Sequence, residues 1–439
     1  MEKAREYYDR IFYLMRGHHS WFNASLPLVA SENVTSPAVR EALISDLGNR
    51  YAEGWPGERV YAGLKYIDQI ELLCIEEAKR LFGAEFADVR PISGVTANLA
   101  VYTAFSKPND RMLALSIPNG GHISHGKQEM GGSAGAVHGL RIEPFPFEID
   151  EMNIDVDQTK KLVAGMVHRE LDSPKIAMFG ASVFLFPHPV RELADFFHDF
   201  NVIVCYDAAH VAGLIAGGQF QRPLAEGADA MTLSTHKTLP GPQHGAILSF
   251  DKFAPQIKRA TFPGVVSNHH IHEVAALAIA LAEMMEFGKE YAAQVVRNAK
   301  ALAQALNEAG FLVLGEKNGF TDSHMVLVDV SKFMGGHEAE KRLEDSNIIV
   351  NRNLLPYDIK MGRHFQNPGG IRLGSSEVTR LGMLESEMKV IADLLKRLII
   401  DGESVESVRG KVATFRKDFQ TIHYCFDNTA EAYKYIPIH

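Results

Sequence analysis

From about Phe82 onward the chain alternates short β-rich runs with stretches whose apolar positions recur at helical spacing. Met112–Ile117, Arg141–Phe147, Lys175–Phe179, Val202–Tyr206 and Ala230–Ser234 read as strands, and Val190–Phe200 as an amphipathic helix. Strands alternating with helices predict a mostly parallel sheet covered by helices. After the Gly241–Pro242 turn, Ala246–Phe250 follows too closely for a crossover helix, so it is expected to run antiparallel and make the sheet mixed. A long helical segment, Asn268–Ala309, leads to strands at Phe311–Leu314, Met325–Val330 and Ile371–Leu373 and to helices at His337–Ser346 and Leu384–Ile399. The pattern predicts an α/β chain with an N-terminal helical arm over 1–25, a large domain over 26–270 and a smaller C-terminal α/β domain over 271–439.

Composition narrows what such a chain can be. With 46% apolar and 23% charged residues it is expected to fold around a packed core. A net charge of −9 without a Lys/Arg-rich run offers no basic field to a nucleic-acid backbone. Cys74, Cys205 and Cys425 are odd in number, far apart and in no C-x-x-C pair, so they read as reduced thiols. The N-terminal segment Met1–Trp21 carries Glu2, Arg5, Asp9 and Arg16 and lacks the apolar core of a signal peptide. Val274–Met285, the longest apolar stretch, contains Glu283 and is shorter than the roughly 20 residues a bilayer needs. A cytoplasmic location without a membrane partner is the expectation.

Candidate chemistry gathers where strands end. The segment Ser234-Thr-His-Lys-Thr-Leu-Pro-Gly-Pro-Gln-His-Gly245 sets Lys237 beyond a strand, beside Ser234 and His236, where its amine can reach a ligand over the sheet edge. Taken alone, it also fits an exposed loop lysine. Upstream, Val202-Ile-Val-Cys-Tyr-Asp-Ala-Ala-His210 ends a buried strand on Asp207, a charge that is costly there without a cationic partner. The protonated pyridine nitrogen of pyridoxal phosphate is such a partner, because holding that proton makes the ring an electron sink. His210 then falls near the ring or its phenolate oxygen; the alternative is an aspartate capping the next helix. Ile92-Ser-Gly-Val-Thr-Ala-Asn98 feeds a helix from a small-residue turn, so Ser93, Gly94 and the Val95 amide are candidates for the phosphate, although Ser-Gly is also a common cap.

Four further segments complete the reading. Pro118-Asn-Gly-Gly-His-Ile-Ser-His-Gly126 holds two histidines without a third ligand nearby, so we read His122 as stacking on the cofactor and His125 as a polar neighbour. Asn268-His-His-Ile-His272 is read as a helix start or subunit contact, and no metal site is assigned. Gly370-Ile-Arg-Leu-Gly374 embeds Arg372 in an apolar strand, where its fork suits a substrate carboxylate or a structural ion pair. The loop Arg50–Tyr61 offers Glu53 as a general acid/base, unless that carboxyl is merely solvated.

Together these segments resemble serine hydroxymethyltransferase. The resemblance is carried, in the family's order, by Leu28-Val-Ala-Ser-Glu-Asn33, Tyr51–Tyr61, Phe82-Gly-Ala, Ser93-Gly with Ala97-Asn98, Gly120–Gly126, Asp207–Ala216, Thr235-His-Lys-Thr238 and Gly370-Ile-Arg372. It implies a fold-type-I pyridoxal-phosphate transferase, with a large, mixed, mostly parallel seven-stranded sheet domain and a smaller C-terminal α/β domain. The implied activity moves a one-carbon unit between serine and a reduced pterin, giving glycine. The resemblance makes Lys237 the covalent carrier of the cofactor, pairs Asp207 with the pyridine nitrogen and lays His122 on the ring. It sets Ser182 and His210 at the phenolate side and gives Ser31 and Arg372 to the amino acid. It further implies a homodimer or a tetramer of dimers, in which Tyr51, Glu53, Tyr61 and Gly264 serve the neighbouring subunit's site.

The chain also departs from that pattern. Many bacterial and eukaryotic members have two tyrosines where this chain has Val60-Tyr61, a serine at Val95 and a glycine-rich run at Pro263–Asn268. The variants resemble archaeal-type members, some of which use a modified pterin, so the acceptor is expected to be tetrahydrofolate or a tetrahydromethanopterin-like pterin. The competing readings on this scaffold are a threonine aldolase or transaldolase and an alpha-substituted-serine hydroxymethyltransferase. A non-catalytic cofactor-binding protein would not need the lysine, aspartate and arginine together.

Overall fold

The computed structural model describes residues 2–168 and 173–438. Seven strands form the main sheet: β1 Phe86–Asp88, β2 Arg111–Ala114, β3 Arg141–Pro144, β4 Pro174–Phe179, β5 Ile203–Asp207, β6 Ala230–Ser234 and β7 Gly245–Ser249. Their order across the sheet is β1-β7-β6-β5-β4-β2-β3. All neighbours run parallel except β7, which is antiparallel to both β6 and β1. The short Gly/Pro connection forces that reversal, as the sequence predicts. The central strands β5 and β6 are nearly continuous apolar runs because helices cover both faces of the sheet. β1 falls outside the strand reading: three residues give too short a run for a periodicity signal.

A second sheet, β8 Leu312–Val313, β9 Met325–Asp329, β10 Asn351–Asn353 and β11 Gly370–Gly374, is antiparallel throughout, in the order β8-β9-β11-β10. β10 was not anticipated, since its Asn-Arg-Asn sequence carries no apolar alternation. Four helices matter for the site: α1 Glu2–Asn23, α2 Lys65–Phe82, α3 Gly94–Phe105 and the 38-residue α4 Ile271–Glu308. α4 is rich in Ala, Leu and Glu, strong helix formers. Its first half packs Val274, Leu277 and Leu281 into the core of the main sheet, and its second half packs Ala299, Leu302 and Leu306 into that of the second. Leu26–Pro27 pairs with Ile348–Ile349 beside the second sheet, which carries the following segment, including Ser31, to the space between the two sheets. Among the described residues no helix is long and apolar enough to cross a membrane.

Candidate active site

In the main sheet, β5 and β6 are parallel neighbours, so their C-terminal ends open on the same edge. β5 ends on Asp207 and β6 on Ser234, and the chain then turns through His236 and Lys237. Hydrogen bonds fix this turn: Gly241 N–H donates to Thr235 O at 2.8 Å, and the Thr238 hydroxyl to His210 O at 2.8 Å. Asn33 Nδ2 donates to Lys237 O at 2.6 Å. The Lys237 side chain is buried.

Around it lies a cavity of about 190 Å³. Its walls are Ser93, Gly94 and Val95 from the start of α3, together with Asp207, His122, His210, Ser234, His236 and Lys237, joined by Asn98, Ala181 and Ala209. Ser93 caps α3 by accepting from Thr96 N–H at 3.1 Å. The Gly94 and Val95 amides lie in the first turn, where helical N–H groups lack intrahelical partners and favour an anion. Gly94 is required by close approach, since a Cβ there would sit 2.3 Å from Ser234 Oγ.

Lys237, His122 and His210 also face a second, wider cavity of about 530 Å³, bounded by Ser31, Gly120, Gly121, Ser182 and Arg372 and, toward the second sheet, by Glu340, Arg352, Asn353 and Phe365. Arg372 donates to Ser182 O at 2.5 Å and to Asn351 Oδ1 at 3.2 Å. Ser182 therefore meets the site partly through its main chain. Among the described residues Arg372 makes no ion pair, since its hydrogen bonds go to a carbonyl and a side-chain amide.

Electrostatics divide these groups by role. Burial pushes the Lys237 amine down to about 8; Asp207 opposes that shift and Arg372 adds to it. Burial works to raise the Asp207 carboxyl, but His125, His122 and Asn98 more than reverse it, so Asp207 is held ionised well below the usual range. Burial lowers His122 to about 4 and His236 to about 4, and it drives His210 far down with help from Lys237 and Arg372. These rings are neutral near pH 7. Arg372 is lowered to about 10 by burial and stays cationic.

Several contacts went unread in the sequence. Asn98 Nδ2 donates to Asp207 Oδ2 at 2.8 Å, and His125 Nε2 meets the same oxygen at 3.0 Å. Thr232 in turn donates to Asn98 Oδ1 at 2.7 Å. His125 is thus a partner of Asp207 as well as a neighbour of His122. His324 stacks on His210 with ring centres 5.7 Å apart and bonds Ala30 O through Nε2 at 2.9 Å. A polar Asn98 within an apolar helix was a usable signal; His324 had none.

Tyr51, Glu53, Tyr61 and Gly264 do not line either cavity. The Tyr51 and Tyr61 rings contact each other at 5.1 Å on the surface, and Glu53 Oε1 accepts from Ser267 Oγ at 2.5 Å. In the histidine run, His269 Nε2 pairs with Glu71 at 2.9 Å and His270 Nδ1 with Glu273 at 2.9 Å.

The model for the family described as serine hydroxymethyltransferase matches residues 5–395. The chain belongs to the serine hydroxymethyltransferase family. Serine hydroxymethyltransferase from Nitrosopumilus maritimus is 58% identical, with 99% of this chain and 98% of that protein covered. The enzyme of the same name from Cenarchaeum symbiosum is 59% identical over the same shares. A solved L-threonine transaldolase from Pseudomonas fluorescens, in its internal aldimine state, superposes with a TM-score of 0.86 at 29% identity, covering 98% of this chain and 96% of that one. The chain is accordingly a fold-type-I pyridoxal-phosphate enzyme, a hydroxymethyltransferase of serine, glycine and one-carbon metabolism whose relatives above are archaeal.

Pyridoxal phosphate suits the residues found. Among the described residues no group pairs with the buried Nδ1 atoms of His210 and His236, both of which border the smaller cavity. With an ionised Asp207, a buried amine and a helix start, these atoms match the polar rim of such a cofactor.

Proposed function

We propose that a reduced pterin accepts the one-carbon unit of serine and that a second copy of the chain completes each site. In this reading the Lys237 amine bonds the cofactor, Asp207 holds the pyridine proton, and Ser93, Gly94, Val95, Ser234 and His236 hold the phosphate. His122 lies on the ring, and His210 and Ser182 stand at its hydroxyl side. Arg372 grips the carboxylate of serine in its planar fork, and Ser31 closes on the same group. When bound, pyridoxal phosphate supplies the electron sink for the bond broken at the substrate Cα. As Cβ passes to the pterin nitrogen, the serine oxygen leaves as water, and the partner subunit's Glu53 supplies the proton it needs; threonine cleavage, which releases its aldehyde intact, has no such step.

The observation that carries the pterin reading is the wider cavity, which offers about 530 Å³ between the two sheets, far more than serine needs. Two features support the shared site. Glu53, Tyr51, Tyr61 and Gly264 lie away from their own chain's cavities, and Tyr7, Ile11 and Leu14, at i, i+4 and i+7 on α1, are exposed, an apolar face suited to a second copy. The transaldolase likeness keeps an aldehyde acceptor as the reading to defeat. Glycine formation from serine should require either tetrahydrofolate or a tetrahydromethanopterin-type pterin. An enzyme indifferent to both, but able to exchange threonine's acetaldehyde for another aldehyde, would overturn the pterin assignment.

A further inference from the structure

The main chain around Glu53 is pinned on every side. Arg59 Nη1 donates to Ala52 O at 2.6 Å and to Gly54 O at 2.9 Å, the carbonyls immediately before and after Glu53. Glu53's own carbonyl accepts from Val60 N–H at 3.1 Å. The guanidinium is itself held by Asp68 at 2.8 Å and by the buried Glu71 at 2.7 Å, and Glu71 also takes His269. Gly54 has φ +94°, and a Cβ there would meet Glu58 O at 2.5 Å, so the tight hairpin depends on glycine. On the far side of the hairpin, the Arg90 guanidinium lies 3.5 Å from the centre of the Trp55 ring.

The same block includes the segment after Gly264. Asn268 Oδ1 accepts from Ala52 N–H at 2.8 Å, and its Nδ2 donates to Arg50 O at 3.1 Å. What remains free at Glu53 is its side chain, whose three torsions would otherwise sample many rotamers. Ser267 Oγ, one residue before Asn268, removes that freedom by donating to Oε1 at 2.5 Å.

We propose that Ser267 is a positioning residue for Glu53, tethering one carboxyl oxygen and leaving Oε2 to face the reacting atoms. The inference rests on the reading of Glu53 as the acid/base. A hydroxyl suits the task because its rotor donates to a carboxylate and accepts from a carboxylic acid, so the tether survives in both protonation states of a group that cycles a proton. An ammonium, which only donates, would favour the carboxylate alone.

The test uses the holoenzyme and two reactions: serine-to-pterin transfer, which needs the acid/base, and slow pterin-independent cleavage of threonine. Ser267→Ala should lower kcat for transfer about tenfold, the scale of one hydrogen bond to a charged group. KM for serine should stay within about twofold, and the ratio of transfer to threonine cleavage should fall about as much as kcat. Ser267→Thr keeps the hydroxyl and should restore most of the loss. In a Glu53→Gln background, Ser267→Ala should cost nothing more. Trp55 emission, read with Trp21 replaced by Phe, should be unchanged, showing the hairpin intact. Losses that add to those of Glu53→Gln, equal losses in both reactions, no loss at all, or a shifted Trp55 emission would each overturn the role of Ser267. If Glu53→Gln itself leaves transfer unchanged, the acid/base reading falls, and the positioning inference with it.

Discussion

Lys237 reacts with an aldehyde only as the neutral amine, and its surroundings decide when that form is present. Burial lowers its proton affinity from 10.5 to about 8, with Arg372 adding to the shift and Asp207 opposing it. The neutral fraction therefore rises with pH, by roughly tenfold per unit below the midpoint, and saturates above it. In protein freed of cofactor, covalent capture of pyridoxal phosphate, followed by its visible band, should accelerate from pH 6 to 8 and level off above. A rate still climbing at pH 10 would mean an unperturbed amine. Arg372 is the second residue whose chemistry is exact in its demands: Arg372→Lys keeps the charge but loses the fork, and serine binding should weaken by about 2–5 kcal/mol in spectral titration. Unaltered serine affinity would take Arg372 out of the substrate site.

At the scale of elements, the start of α3 and the end of β6 touch where the cofactor's phosphate is proposed to lie. A methyl at Gly94 would meet Ser234 Oγ at 2.3 Å, so Gly94→Ala should force Ser234 aside and weaken pyridoxal-phosphate binding at least tenfold while leaving thermal unfolding of the cofactor-free protein little changed. Equilibrium titration of that protein measures it. The sequence made these elements legible because β5 and β6 are buried apolar runs that stop at polar residues, and because the Gly241–Pro242 turn excludes a crossover helix. Other elements escaped it for physical reasons. β10 is polar along its length, and β1 is too short to show a period. The network on Asp207 joins residues 109 and 82 positions apart, Asn98 and His125, so no local spacing encodes it. His210 and His324 likewise meet only because the two sheets face each other across the cavity.

At the scale of the whole molecule, two groups of candidate residues do not meet within one chain. Lys237, Asp207 and Arg372 border its own cavities, whereas Glu53 sits on a hairpin away from them, fixed by Arg59 to α2 rather than left to swing inward. A hairpin held by buried ion pairs does not cross to its own cavity without breaking them, and breaking such pairs is strongly unfavourable. The proposed acid/base role of Glu53 therefore calls for another copy's site. Lys237→Ala and Glu53→Gln chains should each be nearly inactive alone. Mixed under conditions that allow subunit exchange, they form hybrids in which one of the two sites receives an intact Lys237 from one chain and an intact Glu53 from the other. Activity should return toward half of one wild-type dimer per hybrid. Hybrids whose formation is proven by mass, yet which stay inactive, would mean that each chain completes its own site and that the hairpin moves.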